Sequence, residues 1–312
     1  MSASGASWPQ DVRVAGQKVI EADLRIVDAF KNIGYCLPAA GADLVDNSVD
    51  AEASTVLIRS LDTEDELVSL VVVDKVRGMR DKGTDRAMQF GGQRDYTDTD
   101  TDTDIGMYGM GLKSASLNQA DNVTVLSKAA QSGPVRPRWT EAQAKARWKC
   151  DVVVIPQDFV AAELQSPWLA GPDTSHAGTI IRWDHVRDFQ KAAGRVAACL
   201  RARRLSVANH MRLQLHRFLE DCRLSIVIDA ENMETDEIGA QTVVTALDPF
   251  SYPMTGSTGY PKKFNISIPG AGGLEATSHI WPARAKSPGY KLGRGAVRIS
   301  TGASPQPPGG KP

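Results

Sequence analysis

The stretch Ala39-Ala40-Gly41-Ala42-Asp43-Leu44-Val45-Asp46-Asn47-Ser48-Val49-Asp50-Ala51 decides how the chain is read. Pro38 precedes it and fits the first turn of a helix, where its missing N–H would be unsatisfied anyway. The helix is expected to carry Ala39 to Glu52. Asp43, Asn47 and Asp50 fall at i, i+4 and i+7, on one face. The residues around them are nearly all small or apolar. A polar stripe on a helix otherwise fit for burial faces water, a partner or a ligand. An ordinary solvent face is one reading. Against it, solvent faces use Lys, Glu and Arg, whereas this stripe holds only short acids and one amide. That donor set suits a hard cation such as magnesium.

Working outward, Leu24, Val27 and Phe30 step by three residues and predict a helix over Ala22–Phe30. Residues 1–20 read as a flexible arm. Downstream, Thr55–Arg59 and Leu67–Val73 read as strands joined by an acidic turn, Asp62–Glu66. Val71-Val72-Val73 is wholly apolar, as in a strand buried on both faces, and runs straight into Asp74. A carboxylate there can accept a hydrogen bond from a ligand at the sheet edge, although many strands end in Asp simply at a turn. A short helix is expected within Arg80–Gly92. Asp95–Asp104 is a Thr-Asp alternation whose like charges favour an extended chain.

Gly106-Met107-Tyr108-Gly109-Met110-Gly111-Leu112-Lys113-Ser114-Ala115 follows. Glycines ahead of a helix expose backbone N–H groups, and the helix N-terminus adds positive potential, an arrangement that binds phosphate. A flexible glycine turn is the plainer reading. The P-loop needs adjacent Gly and Lys, but Leu112 separates Gly111 from Lys113. The dinucleotide fingerprint needs Gly where Ser114 stands. Val123–Leu126, Val152–Ile155 and Gly178–Trp183 are further strand candidates.

Val186, Phe189, Ala193, Val196 and Leu200 then trace one helical stripe, and Met211, Leu215 and Phe218 a second helical run. Strands are expected again at Leu224–Ile228, Val243–Ala246, Phe264–Ile268 and Ala296–Ile299. This composition shift places a domain boundary near 185–220. The Pro/Gly-rich residues 301–312 read as a disordered tail.

The 312 residues carry 36 Lys and Arg against 37 Asp and Glu, a net charge of -1. That excludes a bulk polycation, but not a local basic face. Between Arg182 and Arg223 ten Lys/Arg stand against four Asp/Glu. Such a stretch suits a nucleic-acid backbone or a solvated helix surface. Cys36, Cys150, Cys199 and Cys222 form no C-x-x-C pair and read as buried, reduced thiols of a cytoplasmic protein. No signal peptide or membrane-spanning run is evident.

In this order and spacing the pieces resemble the GHKL ATPase superfamily of gyrase, heat-shock chaperones, histidine kinases and MutL. The family pattern E-x-x-x-N-x-x-D-A is matched by Asp43 through Asn47, Asp50 and Ala51. D-x-G-x-G is matched at Asp74-Lys75-Val76-Arg77-Gly78, and G-x-x-G-x-G at Gly106, Gly109 and Gly111, followed by Lys113. Gly178-Thr179 is a fourth, weaker match. The wording Gly109-Met110-Gly111-Leu112-Lys113-Ser114 is closest to MORC- and MutL-like proteins.

The resemblance implies a two-layer α/β sandwich over 21–185, followed over 186–300 by a transducer-like α/β domain whose Pro/Gly-rich end reads as truncated. It implies ATP and Mg2+ as ligands, and a slow ATPase whose lid closure drives homodimerisation, with action on DNA through 182–223. Asn47 would hold the metal. Asp43 would be the catalytic base and Lys286, by position, would reach the terminal phosphate. Asp50, Asp74, Gly78, Met79 and Thr179 would line the nucleotide. Gly106, Gly109, Gly111, Leu112 and Lys113 would hold the phosphates, and residues 81–105 would form the lid.

Two departures stand out. The family base is Glu, and Asp43 is shorter by one methylene, about 1.5 Å of reach. Val76 replaces the first glycine of D-x-G-x-G. If that position needs a positive φ or close ligand approach, valine there weakens nucleotide binding and Val76→Gly tightens it. Both departures favour an alternative, a non-hydrolysing nucleotide-sensing or interaction module.

Overall fold

Two apolar, β-branched runs, Thr55–Asp62 (β1) and Leu67–Asp74 (β2), form an antiparallel pair at the centre of the computed structural model. The structure describes residues 26–32, 34–63, 66–89, 111–130, 132–147, 150–155, 177–187, 196–250, 258–259, 262–268, 272–279 and 298–302. The expected N-terminal arm, Thr-Asp run, Gly106, Gly109, Lys286 and the part of the expected tail beyond Gly302 lie outside these residues; Thr301 and Gly302 end a strand instead of opening the tail.

Ahead of β1 come two helices, α1 (Ile26–Lys31) and α2 (Leu37–Asp50). Beyond β2 follow α3 (Asp81–Met88), α4 (Gly111–Gln119), β3 (Ala120–Lys128), β4 (Pro137–Thr140), α5 (Glu141–Arg147), β5 (Asp151–Val152) and β6 (Gly178–Val186). Next are α6 (Val196–Gln214), α7 (His216–Glu220), β7 (Ser225–Asn232), β8 (Glu237–Ile238) and β9 (Thr242–Val243). β10 (Lys262–Ile268), β11 (Gly272–His279) and β12 (Arg298–Gly302) form a separate three-stranded sheet. The large sheet has the order β5-β4-β3-β6-β2-β1-β7-β8, with β9 also paired to β7. Its pairings are antiparallel except that of β1 with β7. A mixed α/β domain with a large sheet and a helical layer is thus present.

The sheet is buried on both faces, as the valine run predicts. Val72 joins Leu44, Val45, Val56, Val125 and Ile181 beneath the helices, while Val71 and Val73 join Leu57, Leu126, Ile180 and Val227 on the other side. Each fully buried side chain of this size contributes about 1.5–3 kcal/mol. No residue of α2 is fully exposed, so the ordinary solvent face is ruled out for its polar stripe.

Several expectations are corrected. Val186 ends β6 instead of opening a helix; the helix begins, among the described residues, at Val196. Val152–Ile155 contributes only a two-residue edge strand, with Val152 exposed. Cys36 and Cys222 are exposed, because one stands at the N-cap of α2 and the other at positive φ in the turn after α7. The sheet also runs past the boundary expected near 185–220. β7 pairs with β1 along its whole length, and Arg59 of β1 forks onto its register partner Asp229 of β7 at 2.8 and 3.0 Å. No described helix is long and apolar enough to cross a membrane.

Candidate nucleotide site

Sheet register assembles the centre of the site. Asp74, the last residue of β2, pairs with Thr179 of β6, and Thr179 pairs with Ser127 of β3. The three form a transverse row. Strand alternation puts all of them on the helix-bearing face, two residues from Val72, Ile181 and Val125 respectively. α2 lies above this row and lowers Ser48 onto it.

The row is closely hydrogen-bonded. Ser48 Oγ donates to Asp74 Oδ2 at 3.0 Å, and the Thr179 N–H donates to Asp74 Oδ1 at 3.1 Å. The Ser127 and Thr179 hydroxyls lie 2.9 Å apart, and Ser127 Oγ also donates to the Gly178 carbonyl at 3.1 Å. Burial pushes the Asp74 carboxyl up to about 6, against the lowering effect of its Ser48 and Thr179 hydrogen bonds. A carboxylate kept in so costly a place retains acceptor lone pairs for a donor such as an exocyclic amino group.

The loop after β2 closes one side. Gly78 has φ +61°, and a Cβ there would lie 2.0 Å from the Lys128 carbonyl oxygen. Its neighbour Met79 donates its N–H to Ser127 Oγ at 2.7 Å and packs its side chain on the core. Val76 does not share this geometry: its φ is not positive, and its side chain packs against the helix-side core. Valine therefore imposes no backbone strain here, and the expected gain from Val76→Gly loses that basis.

α2 presents Asp43, Asp46, Asn47 and Asp50 in its last three turns with no basic residue near its end. Acids so placed oppose the helix dipole and repel one another. Asp43 abuts the start of α4, since a Cβ on Gly111 would lie 3.6 Å from Asp43 Oδ2. The Tyr35 hydroxyl donates to that same oxygen. Asn47 Nδ2 donates to the Asp43 carbonyl at 2.7 Å, which leaves its amide oxygen as a ligand atom. Asp50 is buried, and its carbonyl accepts from Arg77 Nη2 at 3.2 Å.

Asp46 is 9% exposed, and its Oδ1 has no hydrogen-bond partner. Burial, then the Asp43 and Asp50 charges, push its carboxyl up to about 7. The Asn47 amide oxygen is the kind of hard donor that suits a divalent cation. When bound, magnesium would supply charge neutralisation for phosphates, with Asn47 holding it.

Lys113 is tied down in this structure. It is 3% exposed, and its Nζ donates to the Ala87 carbonyl in the last turn of α3 at 2.9 Å. Burial lowers it to about 8. Leu112 packs against the core beside it.

Sequence reading missed Tyr35, Asp46, Ser48 and Ser127 as site members. A signal existed for two of them. Ser48 interrupts the buried face set by Leu44 and Val45, and Ser127 continues the alternation of Val123 and Val125 with a hydroxyl.

Asp46 and Asp74 carry pKa values above the unfolded value, so the native state binds more protons than the unfolded chain between about 4 and 7. Their contribution to stability is therefore greatest at low pH and falls as pH rises through that window. Asp46→Asn is expected to flatten this dependence and to be about 2 kcal/mol more stable than wild type at pH 8, given about 1.4 kcal/mol per pKa unit. Urea unfolding at pH 5 and pH 8 checks it.

Residues 35–157 match the family model of histidine kinase-, DNA gyrase B- and HSP90-like ATPases. No curated protein matches the chain. The matched segment, less than half of the chain, holds α2, the Asp74–Gly78 loop and Gly111–Lys113. It supports a GHKL-type ATPase domain that binds ATP. Thr179 lies beyond it and enters the site by register alone.

Proposed function

We propose that the protein binds Mg-ATP in the cleft between α2, the Asp74–Gly78 loop and the start of α4, and hydrolyses it slowly. The observation that carries this reading is the buried Asp74 carboxylate, held by Ser48 and Thr179 in a row with Ser127. Asp74 would accept from the adenine amino group, with Thr179, Met79 and Gly78 shaping the base pocket. Gly106, Gly109, Gly111, Leu112 and Lys113 would surround the phosphates; for Lys113 this requires release from Ala87. Asp43, beside Gly111, would take the proton of the attacking water. The water oxygen bonds the terminal phosphorus as the bridging P–O bond breaks, giving ADP and phosphate.

Calorimetric titration with a non-hydrolysable ATP analogue plus magnesium tests binding. Phosphate release then tests turnover. Asp43→Asn is expected to lower kcat about 100-fold or more while leaving analogue affinity within about threefold. Turnover equal to wild type would remove Asp43 from the mechanism.

A non-hydrolysing nucleotide sensor is the second reading. It is favoured by the short reach of Asp43 and by Lys113 held on the Ala87 carbonyl. Analogue binding without phosphate release would establish it.

MORC- or MutL-like behaviour, with a lid over 81–105, ATP-driven homodimerisation and a transducer-like region that includes Lys286, belongs to the same proposal. Sedimentation with and without the analogue tests the dimer. DNA contact through 182–223 has narrower support. Arg182, Arg187, Arg204 and Arg223 pair with acids of the chain, and Arg212 binds the Thr245 carbonyl. Arg201 and Arg217 stay exposed. Steeply salt-dependent retention on DNA would support that contact.

A further inference from the structure

Tyr35 lies between α1 and α2, half-buried against the core. Two bonds fix it from opposite ends. Its carbonyl accepts from Nε2 of Gln119, a buried residue at the end of α4, at 2.6 Å. Its hydroxyl donates to Asp43 Oδ2. α4 is itself held: Asn118 Nδ2 donates to the Lys31 carbonyl at 2.8 Å, and Arg187 Nη1 donates to the Asn118 carbonyl at 3.0 Å. The tyrosine is thus braced by the same helix whose first residue, Gly111, abuts Asp43.

A carboxylate on a short side chain gains most from such a brace. Glutamate can extend toward a water by adjusting three torsions; aspartate has two and less reach. One donor fixed on one oxygen selects a single rotamer and leaves the other oxygen for the water. Burial, then the hydrogen bond to Asp43 and the Asp43 charge, hold the Tyr35 hydroxyl well above its ordinary range, so it stays a donor.

We propose that Tyr35 is a positioning residue for Asp43, its hydroxyl engaging Oδ2 so that Oδ1 is the oxygen presented to the attacking water. The proposal rests on the ATPase reading for its consequence, but the contact can be tested without turnover.

Tyr35→Phe keeps the ring and removes only the donor. With ATP and magnesium, kcat is expected to fall about 10- to 100-fold, while the dissociation constant of the non-hydrolysable analogue stays within about twofold. At fixed pH, the carbonyl-13C resonance of the Asp43 side chain is expected to move in the variant. Unchanged kcat in a wild type that turns over would overturn the proposal, as would parallel losses of kcat, affinity and Tm, which mark a packing role. If wild type binds the analogue but releases no phosphate, the ATPase reading fails by itself. The 13C signal then decides the contact: a displaced resonance supports the brace, and an unmoved one overturns it.

Discussion

Gly78→Ala is expected to destabilise the protein by roughly 3 kcal/mol or more. Two physical terms act together. At φ +61° any L side chain pays about 1–2 kcal/mol over glycine. The added Cβ would also lie 2.0 Å from the Lys128 carbonyl oxygen and 2.5 Å from its carbon, and both belong to backbone rather than to a yielding side chain. The loop must therefore lift away from the ends of β3 and β6. That motion breaks the Met79 N–H bond to Ser127 and opens the base pocket, so ATP affinity is expected to fall with stability. Gly34→Ala is the control. Gly34 has φ +74° with nothing within 4 Å of the added Cβ, so it measures the backbone term alone, about 1–2 kcal/mol. Denaturant unfolding of both variants isolates the collision. Equal losses would show that the Lys128 approach carries no cost.

The same glycine shows where sequence reading reaches its limit. D-x-G-x-G pointed to Val76 as the strained position, because a motif records residue types and not torsions. The chain instead places its left-handed residue at Gly78, and Val76 turns into the core. The polar stripe of α2 was legible because i, i+4 and i+7 are local. Whether it met water or a ligand was not, because that depends on what packs above the helix. Asp74 at the end of a doubly buried strand was equally visible. Ser127 was visible only as a hydroxyl within an apolar alternation; its meaning depends on β3 lying next to β6, which only the register fixes. The continuation of the sheet was hidden for a similar reason. Arg59 and Asp229 stand 170 residues apart in sequence, and the composition shift near 185–220 looked like a boundary although β7 returns to pair with β1. Non-local parallel pairing leaves no periodicity in either strand.

Asp74→Asn is expected to separate nucleotide recognition from folding. In the wild type both carboxylate oxygens accept, one from the Thr179 N–H and one from the Ser48 hydroxyl. An asparagine can keep its oxygen toward Thr179, which has only a donor to offer. Its NH2 then faces Ser48, whose hydroxyl rotates to accept. Both protein contacts survive, and the buried negative charge is gone. The variant should therefore be at least as stable as wild type at pH 8, where the raised carboxyl near 6 is ionised and its burial is most costly. Recognition is different. An adenine amino group arriving at this edge would meet a donor in place of an acceptor, and a buried donor–donor contact costs about 1–3 kcal/mol. ATP affinity is expected to fall about 10- to 100-fold. A competing base whose exocyclic group accepts, as in guanine, should gain relative to adenine. Calorimetry with ATP and GTP on the two proteins reads this directly. Unchanged ATP affinity in a folded variant would move the base away from Asp74, and a collapse of Tm would show that the carboxylate serves the fold instead.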